Sequence, residues 1–426
     1  MNKLYNLESQ YECSKTKEVF SYLIVFMMLG NVYLFPLFTS LDLGEILLII
    51  FIPYFLIHIK KITLNRRFSL IYLFLGYSLF ITLAMVVFLN GNVSNVFSRM
   101  VRDLFYYFIV FFLGYHLFDL RTFKKAVVLF CVVLSAFIIL QVIVYMVWGY
   151  LIPGFVLNMK LNDGDFTGYQ LYSHYLEYAR IAGYLKPNGF LCEPAHCAQC
   201  FFVSILILLF GPVKEKNDLK LALFISVGMI LTMSTSAMLY LAFAWGVWSF
   251  KESKRNFLKI ITIVIIVSIL GYLGLKNGKL DNLVSVINRF TQTLEGAHIT
   301  NSSQLRMLRG FQIFFALPLI CQFFGIGFGN YSAAMSLISS NVNISMLNNE
   351  YMNTVSYILV SSGFVGFLIL SLFFINLYKN GSSFKRIMVL ALLLISLGSS
   401  IYSSPICVWL MLLILYPGKT DWCKQW

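Results

Sequence analysis

Residues 180–199 read RIAGYLKPNGFLCEPAHCAQ, and they bring together Arg180, Lys186, Glu193 and His196 in an otherwise apolar chain. A carboxylate accepts a proton from an attacking hydroxyl when partial burial tunes its pKa, and an imidazole is the alternative base. The two cations supply positive charge for an anionic substrate. Asn188-Gly189 reads as the turn that folds the stretch. Glu193 has a second reading, because Pro194 is well placed in a first helical turn and a carboxylate there meets exposed N–H groups. It is either the cap of the following helix or a base.

A second constellation lies in SSQLRMLRGFQIFFALPL, where Ser302 or Ser303 is positioned to start a helix. Arg306 and Arg309 are three apart, so both guanidinium groups leave one face. A guanidinium fork matches two phosphate oxygens, which a lysine does not. The competing reading is an interfacial helix whose arginines meet lipid headgroups. Arg99, Arg102 and Asp103 form a further cluster, in which Arg99 and Asp103 have the spacing of an intrahelical pair.

Three patterns carry less. Asp163 and Asp165 lie in NDGDF, which reads first as a turn. Cys197 and Cys200 make one C-x-x-C without the second half of a zinc site. Gly325, Gly327 and Gly329 lack the strand that a dinucleotide fingerprint requires, so they read as a turn before a buried segment.

The elements that must position these groups follow from composition. The 426 residues are 59% hydrophobic and 12% charged, with a mean hydropathy of +0.80, against about 25% charged in ordinary soluble domains. Unbroken apolar runs exclude a β-barrel, whose strands alternate over about 10 residues. The expectation is an all-α polytopic membrane protein with about 12 transmembrane helices. They fall at 19–38, 44–59, 68–89, 100–118, 126–148, 198–210, 219–233, 237–250, 257–275, 355–377, 387–401 and 406–416.

The net charge of +14 arises largely in the short connections, as at Lys60, Lys61, Arg66, Arg67, Arg121, Lys124, Lys125, Lys214, Lys379 and Arg386. These lie on alternate loops, which places both termini in the cytoplasm. The chain then divides into five helices (1–148), a long outward loop (149–197), four helices (198–275), a second long outward loop (276–354) and three helices (355–426). Arg99, Arg102, Arg180, Lys186, Arg289, Arg306 and Arg309 fall on the side that the rule depletes of cations. The eight cysteines imply no disulfide framework, and the basic balance is a matter of topology, not of nucleic acid.

The run from Lys186 through Gly189 to Glu193-Pro194 resembles the R-x-x-G-x-x-x-E-P signature of O-antigen and capsule polysaccharide polymerases, the Wzy-like branch of the O-antigen ligase/polymerase superfamily. The STSA turn at 234–237, the Arg306/Arg309 helix, GIGFGN at 325–330 and Asn349-Glu350-Tyr351 before SSGFVGF agree in order. Lys186 stands where many relatives carry arginine, and Asn348-Asn349 stand where ligases usually carry a histidine.

The resemblance implies a multi-pass enzyme of the bacterial inner membrane that polymerises undecaprenyl-pyrophosphate-linked oligosaccharide repeat units. It would act without a metal or other cofactor. The implied pyrophosphate-binding residues are Arg180, Lys186, Arg306 and Arg309, with Glu193 or His196 handling the acceptor hydroxyl. Arg99, Arg102, Asn188, Gly189, Asn349 and Glu350 are further candidates. Implied partners are the lipid bilayer, a chain-length regulator and a flippase of the same pathway. The alternatives are a ligase-type glycan transferase, or a transporter or flippase of lipid-linked oligosaccharide; no repeat of the inverted kind supports the latter.

Overall fold

The computed structural model describes residues 15–29, 43–59, 68–154, 168–182, 185–251, 302–338 and 352–416. Among these the regular structure is entirely helical. The longer helices are α1 (Lys15–Phe26), α2 (Leu43–His58), α3 (Ser69–Leu89), α4 (Val93–Tyr107), α5 (Leu120–Trp148), α6 (Gly168–Ala182), α7 (Pro194–Phe210), α8 (Asp218–Leu231), α9 (Thr235–Lys251), α10 (Ser302–Ala316), α11 (Thr354–Lys379), α12 (Ser383–Gly398) and α13 (Pro405–Leu415). Three of them, α3, α5 and α11, are long and apolar enough to cross a membrane, and several shorter apolar helices accompany them. The expected span at 257–275, Arg289, Asp163, Asp165, Asn349 and Glu350 lie outside the described residues.

The chain folds as two compact units interleaved in sequence: residues 1–52 with 119–295, and residues 53–118 with 296–426. In the first, α5 packs against α1, α7 and α8, and α7 packs against α8 and α9. Every residue of α7 from Cys197 to Phe210 is buried, so α7 is the core of this unit. A buried ion pair locks the end of the bundle where α5 starts. Lys124 Nζ lies 2.8 Å from both carboxylate oxygens of Asp218 and donates to the Val213 carbonyl at 2.9 Å. Nearby, Lys214 Nζ donates to the Leu208 and Leu209 carbonyls, which the end of α7 leaves without helical partners.

In the second unit α11 packs against α3, α10 and α12, and α12 against α13. Helix α4 continues through a π-helical stretch, Phe108–Leu113, and a last turn, Gly114–Leu117. Its exposed side carries several apolar residues. Val93, Phe97, Val101 and Leu104 are exposed, whereas Val96, Asp103 and Tyr106 are buried. Apolar side chains outward with ionisable groups inward is the arrangement expected of a helix that meets lipid.

Helix α11 is broken at Gly363, where φ is +64° and ψ −174°. A loop supplies partners for two carbonyls at the break: Ile326 N–H donates to the Val360 carbonyl at 3.1 Å and Gly327 N–H to the Ser361 carbonyl at 2.8 Å. Glycine is required on both sides. A Cβ on Gly363 would lie 2.4 Å from the Gly325 nitrogen, and one on Gly325, where φ is +89°, 2.3 Å from the Ser361 carbonyl oxygen. GIGFGN is therefore a turn, and its structural partner is the broken helix.

Candidate functional site

In the first unit the polar stretch is hydrogen-bonded to α5 through Gln141. Gln141 is fully buried on α5; its Nε2 donates to the carbonyls of Ile152 at 2.8 Å and Gly189 at 3.3 Å, and its Oε1 accepts from Gly189 N–H at 2.9 Å. Gly189 has φ +60°, and a Cβ there would lie 2.4 Å from Leu134 Cδ1. The next residue, Phe190, sets its ring 5.5 Å from Phe130 and 6.1 Å from Phe137. Phe130, Leu134, Phe137 and Gln141 recur at the spacing of one helical face, so α5 carries the loop along a single stripe.

Asn188 closes the turn. Its Nδ2 donates to the Leu191 carbonyl at 2.7 Å, while its own carbonyl accepts from Leu191 N–H at 3.1 Å and from the Cys197 thiol at 2.9 Å. Asn188 and Gly189 thus shape the loop. Helix α6 covers the same stretch: Tyr175 Oη donates to the Cys192 carbonyl at 3.1 Å, and Lys186 Nζ sits 4.5 Å above the Tyr178 ring. Arg180 is exposed in the last turn of α6. Tyr172, two turns earlier, has its phenol pushed up to about 12, first by burial and then by its hydrogen bond to Tyr150, with Arg180 opposing the shift.

Glu193 occupies the N-cap position of α7, but its carboxylate makes no capping hydrogen bond. Its backbone carbonyl takes the local bonds instead, from His196 N–H at 3.1 Å and Cys197 N–H at 3.3 Å. The position is that of a cap, and the residue is half-buried with no capping bond from its carboxylate. His196 is half-buried on the first turn, and its Nδ1 is buried without a hydrogen-bond partner among the described residues. Two titratable groups three residues apart, on a loop fixed by α5 and α6, are the chemistry this unit offers.

The second unit gathers the other cations. Arg99 Nε lies 3.5 Å from Asp103 Oδ1, which also accepts from the Ser403 hydroxyl. The pair is more than an intrahelical bridge. The Arg99 guanidinium stands 5.2 Å from the centre of the Tyr357 ring and 5.6 Å from that of Tyr402. Phe328 stacks on Tyr402 at 5.2 Å and meets Tyr357 at 5.7 Å. Such contacts stabilise a guanidinium by about 0.5–2 kcal/mol, the more so when desolvated. Burial, with Tyr107 and Asp103 alongside, pushes the Tyr402 phenol well up, so it stays protonated in its hydrogen bond with Tyr107.

Helix α10 begins at Ser302 and carries Arg306 and Arg309. Arg309 is 5% exposed, with Nη2 donating to Tyr331 Oη at 3.4 Å. The helix is set against the start of α11: Asn353 Nδ2 donates to the Met307 carbonyl at 2.9 Å, and a Cβ on Gly310 would lie 2.0 Å from Ser356 Oγ. One loop touches both arginine side chains. A Cβ on Gly329 would lie 3.4 Å from Arg99 Cβ, and Tyr331, two residues on, bonds Arg309. Asn330 between them is buried and anchors the loop through the carbonyls of Ile326 and Thr82, at 3.0 and 3.4 Å.

Among the described residues no group of three or more His, Cys, Asp or Glu side chains is arranged to hold a metal ion. The sequence flagged Arg99, Asp103, Arg309 and the glycine run as separate features; the fold joins them. It did not flag Gln141, Phe328, Tyr331, Tyr357 or Tyr402. No protein-family model matches the chain, and no curated protein matches it.

Proposed function

We propose that the chain is a membrane-embedded glycosyltransferase that polymerises oligosaccharide repeat units carried on undecaprenyl pyrophosphate, on the outer face of a bacterial inner membrane. The observation that carries this reading is the joining of Arg99 and Arg309 by the loop at 325–331 in one unit, with Arg306 one turn before Arg309. Where no nucleotide sugar or ATP is at hand, the anomeric pyrophosphate bond supplies the driving force. Its leaving group accumulates negative charge that preorganised cations stabilise. Guanidinium groups held by aromatic rings and a carboxylate are preorganised in this sense, and their planar forks match phosphate oxygens.

In this reading the arginines of the second unit bind the pyrophosphate; handling of the acceptor hydroxyl by Glu193 or His196 is what the sequence resemblance implies. The transfer breaks the anomeric C–O bond to pyrophosphate, forms the glycosidic bond and releases undecaprenyl pyrophosphate. The topology that accompanies it has both termini cytoplasmic and the long loops outward, as the distribution of basic residues requires.

Deletion of the protein and display of the glycan on a gel test the function. The expected result is loss of the long-chain ladder with single-unit material still attached; loss of all attached glycan points instead to a ligase or flippase. Arg309→Ala and Glu193→Ala are expected to abolish elongation while the protein stays in the membrane. Arg309→Lys, which keeps the charge and loses the fork, is expected to fail as well. Wild-type ladders from Arg309→Ala and Glu193→Ala would refute the assignment of these sites.

A further inference from the structure

Helices α5 and α8 of the first unit form a parallel pair. Lys124, near the start of α5, lies 2.8 Å from the Asp218 carboxylate at the start of α8. Farther along both helices a Cβ on Gly228 would lie 2.5 Å from Ser135 Oγ, so Ser135 and Gly228 mark the seam between them. At about 100° per residue, Arg121, Lys125, Leu129, Val133 and Leu140 lie roughly 40–160° round α5 from Ser135. Lys220, Leu223, Phe224, Val227 and Ile230 lie roughly 40–160° round α8 from Gly228, in the opposite sense. Opposite rotations from a shared seam bring the faces of two parallel helices to the same side. All of these side chains are exposed, so α5 and α8 present one combined outer face.

That face changes character along its length. Where both helices begin it is cationic, with Arg121 and Lys125 on α5, Lys220 on α8 and the exposed Lys216 in the turn before α8. Lys124, between Arg121 and Lys125, ties the two strands of chain together: its Nζ reaches the Val213 carbonyl at 2.9 Å, Asp218 at 2.8 Å and Glu215 at 3.9 Å. The neighbouring carboxylates are engaged elsewhere, since Glu215 and Asp218 stand beside Lys124 and Asp119 accepts from Thr122 N–H. Among the described residues none of Arg121, Lys125, Lys216 and Lys220 has an ion pair or a side-chain hydrogen bond. Both helices also begin here, and their dipoles add positive potential. Beyond the cations the face is apolar. From Lys125 to Val133, and from Lys220 to Val227, it runs about 10–12 Å at 1.5 Å per residue, within one half of a hydrocarbon core of about 30 Å.

We propose that the combined α5–α8 face is a binding site for an anionic phospholipid, whose phosphate lies among Arg121, Lys125, Lys216 and Lys220 and whose acyl chains follow the seam past Leu129, Val133, Leu223 and Val227. Cations at a bilayer surface attract anionic headgroups, and here the protein supplies them no counter-ion. A zwitterionic lipid is the poorer occupant, because its own ammonium group meets the same lysines. The apolar stretch that continues from the cations fits a molecule that is charged at one end only. None of the residues assigned to the proposed reaction takes part, so failure of this site would leave the expected glycan ladder unchanged.

Photolabelling of the full chain in phosphatidylcholine nanodiscs tests it. One probe is phosphatidylglycerol with a diazirine midway along an acyl chain, the other is phosphatidylcholine with the same chains, and the labelled residues are mapped by mass spectrometry. The phosphatidylglycerol probe is expected to label Leu129, Val133, Leu223 and Val227 several-fold more than the phosphatidylcholine probe. At Leu140, about 22 Å along α5 from Lys125, the two probes are expected to label equally. Equal labelling by both probes at all of these positions would overturn the proposal without any variant. Label from neither probe would mean that protein, such as a second copy of the chain, covers the face, and would also overturn it. Replacing the four exposed cations together (Arg121→Gln, Lys125→Gln, Lys216→Gln and Lys220→Gln) is expected to bring the phosphatidylglycerol label down to the phosphatidylcholine level. A preference retained in that variant would show that the cations do not select the lipid and would overturn the site.

Discussion

The replacement of Gln141 by leucine isolates the contact that fixes the candidate acceptor loop. Leucine keeps most of the bulk on α5 and removes three hydrogen bonds, to Ile152 O, Gly189 O and Gly189 N–H. At a net ~0.5–1.5 kcal/mol per bond, the loop loses about 1.5–4.5 kcal/mol of local stability. Since about 1.4 kcal/mol is a factor of ten, opening of the loop should rise by about tenfold to a thousandfold. Hydrogen exchange followed by mass spectrometry on peptides spanning 185–193 reads this directly, because Gly189 N–H loses its acceptor. Peptides from α13, in the other unit, should keep their protection, which separates local opening from global unfolding. Unchanged protection of 185–193 in the leucine variant would refute the claim that Gln141 holds the loop. If elongation depends on where Glu193 stands, the same variant loses the ladder while remaining folded.

Gly363→Ala and Gly325→Ala should each remove folded protein from the membrane, read by fluorescence-detected size exclusion. Both positions have φ/ψ that side chains adopt at a cost of about 1–3 kcal/mol, and a Cβ would strike backbone 2.4 and 2.3 Å away. Lys124→Met should destabilise the first unit by about 3–5 kcal/mol in a thermal or denaturant assay, because Asp218 is left charged and buried, whereas adding Asp218→Leu should recover most of the loss. Tyr172 should titrate near pH 12 by ultraviolet absorbance. As its pKa is raised in the fold, the stabilisation is fully present below the ordinary tyrosine value of about 10 and is lost as pH rises through the folded value. Tyr172→Phe should remove that high-pH component.

The helices were legible because apolar runs of this length have few other solutions, yet several begin earlier than the apolar run does. Helix α4 starts at Val93, although the run starts at 100: Asn92 caps it by accepting from Ser94 N–H and Asn95 N–H, and Arg99 is paired with Asp103. Helix α5 starts at Leu120, although the run starts at 126: Asp119 caps it by accepting from Thr122 N–H, and Lys124 is neutralised by Asp218. A charge interrupts a hydropathy pattern but interrupts a helix only if it lacks a partner. Gln141 was readable in principle, as a lone amide inside a long apolar run. The cage around Arg99 was not, since it joins residues 99, 328, 357 and 402, and no local spacing encodes that meeting.

Buried charge serves two different ends in the two units, and the surroundings distinguish them. Lys124 is 4% exposed, is bonded to both oxygens of Asp218 and to a carbonyl, and reaches Glu215 at 3.9 Å. Its donors are filled by the protein, so it acts as a lock between α5 and the start of α8. Arg99 is 24% exposed, is held on one edge by Asp103, and shows its plane to two tyrosine rings. A planar cation supported on its face and on one edge is held in a fixed orientation. Partial exposure and ring support set Arg99 apart from the enclosed Lys124, and that difference is why Arg99, and not Lys124, is placed in the candidate site.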